Sequence, residues 1–133
     1  MEAGTEGQMI KMNTNYFYKH QGNQYDFIRI PKQLVTGEDF SSLSISAKIL
    51  YGLMIDRMGM SSKNEWIDAD GKVYIIYPIS EIEEDLKVSR RKVSDYLREL
   101  QDIGLIQKRQ IGCGMPNQIY VKNFIVERDL CTQ

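Results

Sequence analysis

The stretch SEIEEDLKVSRRKVSDYLRELQDIGLI, residues 80–106, contains two amphipathic segments separated by a short break. Apolar residues recur at helical spacing in both segments, and Lys87-Val88-Ser89 joins them. Two helices joined by so short a turn are typical of a helix-turn-helix arrangement. The stretch therefore predicts this motif, with a first helix over residues 79–86 and a second over 89–103.

The two predicted helices differ in the charge at their N-terminal ends. Acids fill the first turn of the first helix, where Ser80 and Glu83 have capping-box spacing, and the helix dipole favours them there. Ser89 is the expected N-cap of the second helix. Three cations follow it directly: Arg90, Arg91 and Lys92. Because the dipole disfavours cations at this end, we expect them to serve an anionic ligand.

A β-hairpin is predicted after the second helix. Gly104 is placed to end that helix, and residues 105–110 and 117–121 have the composition of strands. Gly112 and Gly114 lie in the irregular tip between them, where glycine lets backbone approach a ligand closely. This hairpin would form the wing of a winged helix-turn-helix.

The residues before residue 79 complete the predicted α+β fold. A helix is expected over residues 44–58 with Ser44 as its N-cap, and a strand over 73–77. Most of the circumference of this helix is apolar, so we expect it to be covered on more than one side. An aromatic, β-prone arm over residues 16–31 could provide the cover, from the same chain or from a second subunit. Its candidate interface residues are Tyr16, Phe17, Tyr18, Tyr25, Phe27 and Ile28.

Charge is distributed unevenly along the 133 residues, although the net charge is only −1. Seven cations and three acids lie between Lys87 and Arg109, whereas residues 81–85 hold four acids and no cation. A general attraction to nucleic acid is thus excluded, and any anionic partner must bind locally.

The second helix of a helix-turn-helix enters the DNA major groove with its N-terminal residues near bases and phosphates. Opposite its apolar face lie Arg91, Asp95 and Arg98, with a further basic cluster on the hairpin. We therefore predict a DNA-binding site of two basic elements. Its residues are Ser89, Arg90, Arg91, Lys92, Ser94, Asp95, Arg98, Lys108, Arg109, Gln110, Gly112, Gly114 and Asn117. Alternatively, Arg91, Asp95 and Arg98 form a solvated helix face with ion pairs along it.

Catalytic and metal-binding patterns are weak, so we expect neither an enzyme nor a cofactor. His20 is the only histidine, and no glycine-rich phosphate loop precedes a helix. The spacing of Asp68, Asp70 and Gly71 resembles a calcium loop, but Lys72 stands at a ligand position, so a turn is predicted. No metal site is expected.

The remaining features predict a cytoplasmic domain with two tails. Cys113 and Cys131 lack metal or disulfide-scaffold spacing, which suits a reducing compartment. No leader and no apolar run long enough to span a membrane is found. Residues 1–15 are expected to be a disordered tail, residues 32–124 the DNA-binding domain, and residues 125–133 a C-terminal tail.

Three longer runs of the sequence are FIRIPKQLV (27–35), LSISAKILYGLMIDRMGMSSKNEWIDADGKVYIIY (43–77) and ELQDIGLIQKRQIGCGMPNQIYVKNF (99–124). Together they resemble the N-terminal domain of RepA-type plasmid replication initiators of Gram-positive bacteria. The resemblance implies a recognition helix over 89–103, a wing over 108–118, binding to origin repeats in double-stranded DNA, and dimerisation through the arm. Family members usually continue into a second domain, so host replication proteins are expected partners only if such a domain exists.

Two other functions suit the same fold. A transcriptional regulator would use the same DNA-binding surface, whereas a protein-interaction winged helix would present its ridge to an acidic partner. Within the domain, Trp66 is expected in the core and Asn64 in a turn. The alternative is that Ser62, Lys63 and Asn64 contact DNA backbone.

Overall fold

The computed structural model of the chain describes residues 12–14, 16–18, 25–109, 112 and 114–124. Its helices are α1 (Lys32–Thr36), α2 (Ile45–Met58), α3 (Ser61–Asn64), α4 (Ile79–Leu86) and α5 (Arg90–Asp102). Its strands are β1 (Tyr74–Ile76), β2 (Ile106–Lys108) and β3 (Gln118–Val121). This order confirms the predicted winged helix-turn-helix. The short helices α1 and α3, and a 3-10 turn over Glu38–Phe40, were not predicted.

Helix α2 begins where its capping residue predicts. The Ser44 hydroxyl accepts a hydrogen bond from the Ala47 N–H at 3.2 Å, which satisfies one of the free amides of the first turn. One side of the helix is buried in the core through Leu50 and Met54. Ile45 on another side remains 66% exposed, so the single chain covers only part of the apolar circumference.

Helix α4 begins at Ile79, two residues earlier than a cap at Ser80 would allow, so the capping role expected from the Ser80–Glu83 spacing was wrong. Pro78 is the N-cap, with φ −59° and ψ 145°, which lies outside the helical range. Its carbonyl accepts the first helical hydrogen bond, from the Ile82 N–H at 3.1 Å. Proline fixes φ near this value, and Ser80 consequently lies inside the first turn. Lys87 ends α4 in the left-handed region with φ 57°.

Helix α5 has the predicted signals at both ends. The Ser89 hydroxyl accepts a hydrogen bond from the Lys92 N–H at 3.3 Å. At the other end, Gly104 has φ +88°, and the Leu105 N–H donates to the Leu100 carbonyl at 2.9 Å. This is a Schellman motif, which requires the left-handed residue that glycine supplies. Between the two ends, α5 buries Val93, Leu97 and Leu100.

The three strands form one antiparallel sheet in the order β1-β3-β2. Ile75 pairs with Ile119 in β3, and both side chains are fully buried against the helices. Tyr74, Tyr120 and Gln107 lie on the opposite face of the sheet in one cross-strand row. The wing is therefore the β2–β3 hairpin, anchored to the core by the inner face of the sheet.

The turn before β1 is held by Asp68, as the turn prediction requires. Its Oδ1 accepts hydrogen bonds from the N–H groups of Asp70 and Lys72, both at 2.9 Å, and Gly71 has φ +84°. Trp66 is half-buried against the core, which confirms its structural assignment. Asn64 is exposed at the end of α3.

The C-terminal end of the aromatic arm lies against α2. Ile30 is partly buried against the core, and its Cγ1 would lie 2.6 Å from a Cβ on Gly52. Glycine at this buried position of α2 therefore lets the arm approach. Neither residues 16–18 nor residues 25–31 form a strand. Their rings pack edge to face instead, with centroids 5.9 Å apart for Phe17 and Tyr25.

Most of the predicted tails lie outside the described residues. Of residues 1–15, the structure describes 12–14 alone, and residues 125–133 are not described. None of the helices in the described part of the chain combines the length and apolarity needed to cross a bilayer.

Candidate nucleic-acid interface

The outward face of α5 forms a polar ridge, which we define as Arg91, Asp95 and Arg98. All three side chains are exposed, as are Lys92 and Ser94 beside them. The ion pairs found among the described residues are Arg57–Glu81 and Arg90–Glu83, and neither involves the ridge. The solvated-face alternative relied on pairs along the helix, which this geometry lacks, so both guanidinium groups can reach a ligand.

The first turn of α5 packs against α4 through one ion pair. Arg90 Nη1 lies 3.8 Å from Glu83 Oε2, with the arginine side chain 69% exposed. Glu83 thus faces Arg90 instead of closing the predicted capping box. At this distance and exposure the pair is weak, because water and salt screen it.

The wing presents its basic residues in two different ways. Lys108 is exposed at the end of β2. Arg109, the next residue, is half-buried, and its Nη1 donates a hydrogen bond to Gln118 Oε1 at 2.7 Å. Its guanidinium also lies 4.2 Å from the centre of the Tyr74 ring.

The tip and the return strand supply the other predicted wing residues. Gly112 and Gly114 are exposed, and Gly114 has φ +82°, a conformation that favours glycine. Asn117 has a partner within the chain, because its Nδ2 donates to the Tyr77 carbonyl at 3.0 Å. Gln110 lies outside the described residues.

A groove of about 500 Å³ brings the two basic elements together. It lies between the start of α4 and the wing. Arg90 lines it on the helical side, and Lys108 and Arg109 line it on the wing side. The ridge residues are not among its lining residues, so the groove joins the wing to the first turn of α5 alone.

Two half-buried networks attach the two helices of the helix-turn-helix to α2, and neither was predicted from the sequence. In the first, Glu99 of α5 accepts hydrogen bonds from the N–H and the hydroxyl of Ser44, at 2.7 and 2.9 Å. An acid from α5 therefore completes the N-terminal cap of α2, the role that a capping box gives to a neighbouring residue. The partners are 55 positions apart, so no local pattern could have revealed the contact.

The second network joins α4 to α2. Arg57 donates to the Ile76 carbonyl at 3.1 Å and to Glu81 at 2.8 Å, and lies 4.0 Å from the centre of the Tyr77 ring. The Tyr77 hydroxyl donates to Asp85 Oδ2 at 2.6 Å. The pKa of Tyr77 is raised well above its usual value, mainly by burial and next by this hydrogen bond.

An acid–tyrosine pair joins the turn before β1 to the sheet. The Tyr120 hydroxyl donates to Asp68 Oδ2 at 2.6 Å. That bond, together with the backbone N–H groups of Lys72 and Asp70, lowers the pKa of the Asp68 carboxyl. In the described part of the chain, no group of three or more potential metal ligands occurs.

The geometry thus defines a winged helix-turn-helix protein in which the recognition helix and the wing present cations to one groove. Over residues 26–133, the chain matches the family described as Replication initiator protein A (RepA) N-terminus. The chain belongs to this family.

Individual relatives agree with the assignment. The "41 kDa protein" of Lactobacillus helveticus is 33% identical over 81 residues, which are 61% of this chain and 23% of that protein. The chain therefore spans less than a quarter of the length of the curated relative that it matches.

Solved structures similar to this chain share its fold along most of their length. One titled "N-Terminal domain of DNA binding protein" is 30% identical with a TM-score of 0.71, and the match covers 90% of this chain and 92% of that one. One titled "Structure of Rep-DNA complex" is 31% identical with a TM-score of 0.71, over 89% and 92% of the two chains. A third, titled "Structure of MDR initiator", is 29% identical with a TM-score of 0.68, over 89% and 94%.

Proposed function

We propose that the chain is a sequence-specific, double-stranded DNA-binding domain of a plasmid replication initiator. The observation that carries this proposal is the ridge of α5. Its two guanidinium groups are exposed, and among the described ion pairs neither is paired with the acid between them. Membership of the RepA N-terminal family and the likeness to the structure titled as a Rep–DNA complex support duplex DNA as the ligand.

Helix α5 enters the major groove in this account. Arg91 lies close to the N-terminus of the helix, where side chains of a recognition helix reach base edges. Its guanidinium can donate two hydrogen bonds to the O6 and N7 atoms of guanine. Lys92 and Arg90 reach phosphates, and the amide groups at the helix start add to the attraction for them.

The wing completes the interface from the other side of the groove. Lys108 contacts a phosphate, and the exposed glycines of the tip allow the backbone to approach the DNA. The domain acts by binding, without catalysis or a cofactor. Base contacts from α5 thus provide the specificity, and phosphate contacts from α5 and the wing provide much of the affinity.

A homodimer that binds repeated sites in the origin is the form we propose for function in the cytoplasm. The aromatic arm supports this, because Tyr16 is 81% and Phe27 66% exposed in the single chain. Contiguous exposed apolar patches on soluble proteins often mark sites of interaction with a partner. Ile45, on the partly covered side of α2, belongs to the same class of exposed apolar residues.

A selection from randomised duplexes tests the proposal. The full chain should enrich one sequence family, and that sequence should recur in the origin of the replicon that encodes the protein. Enrichment of sites that map only to promoters would indicate a transcriptional regulator. No enrichment at all, with a folded chain, would contradict DNA reading and favour a protein-interaction module.

A further inference from the structure

Two neighbouring cations of the wing have opposite surroundings. Lys108 is exposed, and within the described residues its ammonium group forms no hydrogen bond or ion pair. Arg109 is half-buried against the sheet, with its guanidinium bonded to Gln118 and stacked on Tyr74. The Nη1 donor of this arginine is already engaged with its own chain, so the guanidinium is less free than the Lys108 ammonium to meet a phosphate.

Gln118, the hydrogen-bond partner of Arg109, is itself held in place by burial and by the backbone. Gln118 is only 6% exposed, so its amide is desolvated and needs the hydrogen bond it accepts. The backbone N–H of Arg109 also donates to the Gln118 carbonyl at 2.9 Å. Main chain and side chain of the two residues are therefore joined where β2 leaves the sheet.

The aromatic partner extends the contact across the outer face of the sheet. Tyr74 lies edge to face with Tyr120 across the β1–β3 pair, with ring centroids 6.4 Å apart. The Tyr120 hydroxyl is in turn bonded to Asp68. Arg109 is thus the wing end of a continuous row of side chains that reaches the turn before β1.

We propose that Arg109 is a positioning residue that fixes the direction in which the wing leaves the sheet, while Lys108 makes the phosphate contact. This inference rests on the proposed DNA-binding function. It divides two cations that the sequence analysis placed together in the DNA-binding site. The row of contacts holds the base of the hairpin, so the tip meets the duplex at a defined distance from α5.

Salt dependence separates the two roles, because each phosphate contact that is lost lowers the slope of log K against log salt by about 0.9 unit. Lys108→Ala is expected to reduce the slope by that amount. Arg109→Ala is expected to lower affinity about tenfold, as when a charge-assisted hydrogen bond is removed, while leaving the slope within about 0.3 unit of the wild type.

Two further variants test positioning without relying on the loss of a charge. Tyr74→Leu removes the ring under the guanidinium and should reproduce the affinity loss and the unchanged slope of Arg109→Ala. Arg109→Lys keeps the charge but not the planar fork, and should recover less than half of the lost binding free energy. Hydroxyl-radical footprints of all variants should lose protection at the wing edge and keep it beneath α5.

The experiment uses the full chain and the duplex found by selection, with thermal unfolding to confirm that each variant is folded. A slope reduced by about one unit in Arg109→Ala, or wild-type binding by Arg109→Lys, would overturn the inference. If Arg109→Ala is unfolded, Tyr74→Leu and Arg109→Lys decide in its place. Failure of the wild-type chain to prefer any duplex would instead contradict the proposed function.

Discussion

Replacing Glu99 with alanine tests how the recognition helix is held on the rest of the fold. The carboxylate accepts two hydrogen bonds from Ser44, at 2.7 and 2.9 Å, in a half-buried position. Hydrogen bonds to a charged group contribute about 1.5–3 kcal/mol each, and water replaces part of them here, so we expect a loss of about 2–4 kcal/mol in the free energy of unfolding.

The assay is urea unfolding followed by far-UV circular dichroism, supported by thermal melting. For a domain of this size, the expected loss lowers the midpoint temperature by roughly 10 °C. Glu99→Gln should lose only about 1 kcal/mol, because an amide oxygen can still accept one of the two hydrogen bonds. Glu84→Ala is the matched control, since its side chain is exposed, and it should stay within about 0.5 kcal/mol of the wild type. Equal stability of Glu99→Ala and the wild type would refute the reasoning.

Three other predictions concern the arm, acid stability and the start of α5. Gly52→Ala places a methyl group 2.6 Å from the side chain that anchors the arm, so it should cost about 1–3 kcal/mol in urea unfolding and weaken self-association in sedimentation. The Tyr120 hydroxyl holds the pKa of Asp68 below its usual 3.8, so the stabilisation is present above that pH and is lost as pH falls through the lowered pKa. Melting of Asp68→Asn between about pH 2.5 and 6 should accordingly depend less on pH than melting of the wild type; equal dependence would contradict the assignment. Glu83→Gln removes the acid 3.8 Å from Arg90, and should tighten duplex binding roughly two- to fivefold in anisotropy titrations, the range of a surface ion pair.

Local chemistry explains why much of the fold was predictable from the sequence. Ser44 and Ser89 are N-caps, and Gly104 is the left-handed residue of a Schellman motif. Each of these signals depends on neighbours within a few positions, so a pattern in the sequence carries it. The exception was Ser80, where the fixed φ of Pro78 starts the helix earlier than the serine would.

The candidate site was predictable only in part, because the functional contacts are not local. Helical periodicity placed Arg91 and Arg98 on the outward face of α5, and both are exposed there. The surroundings of Arg109 depend on Tyr74, which is 35 positions away by the sequence numbering. Charge alone therefore grouped Arg109 with Lys108, although only the tertiary structure could separate them.

Reading of bases by Arg91 is the central claim, and the affinity of Arg91→Ala for two duplexes tests it most directly. One duplex carries the selected site and the other a scrambled version of it, measured at the same salt concentration. A bidentate contact to guanine is worth about 1–3 kcal/mol of discrimination. Arg91→Ala should lose affinity of that size for the selected site and change little for the scrambled one. Equal losses for both duplexes would show that Arg91 contacts phosphate and does not read a base.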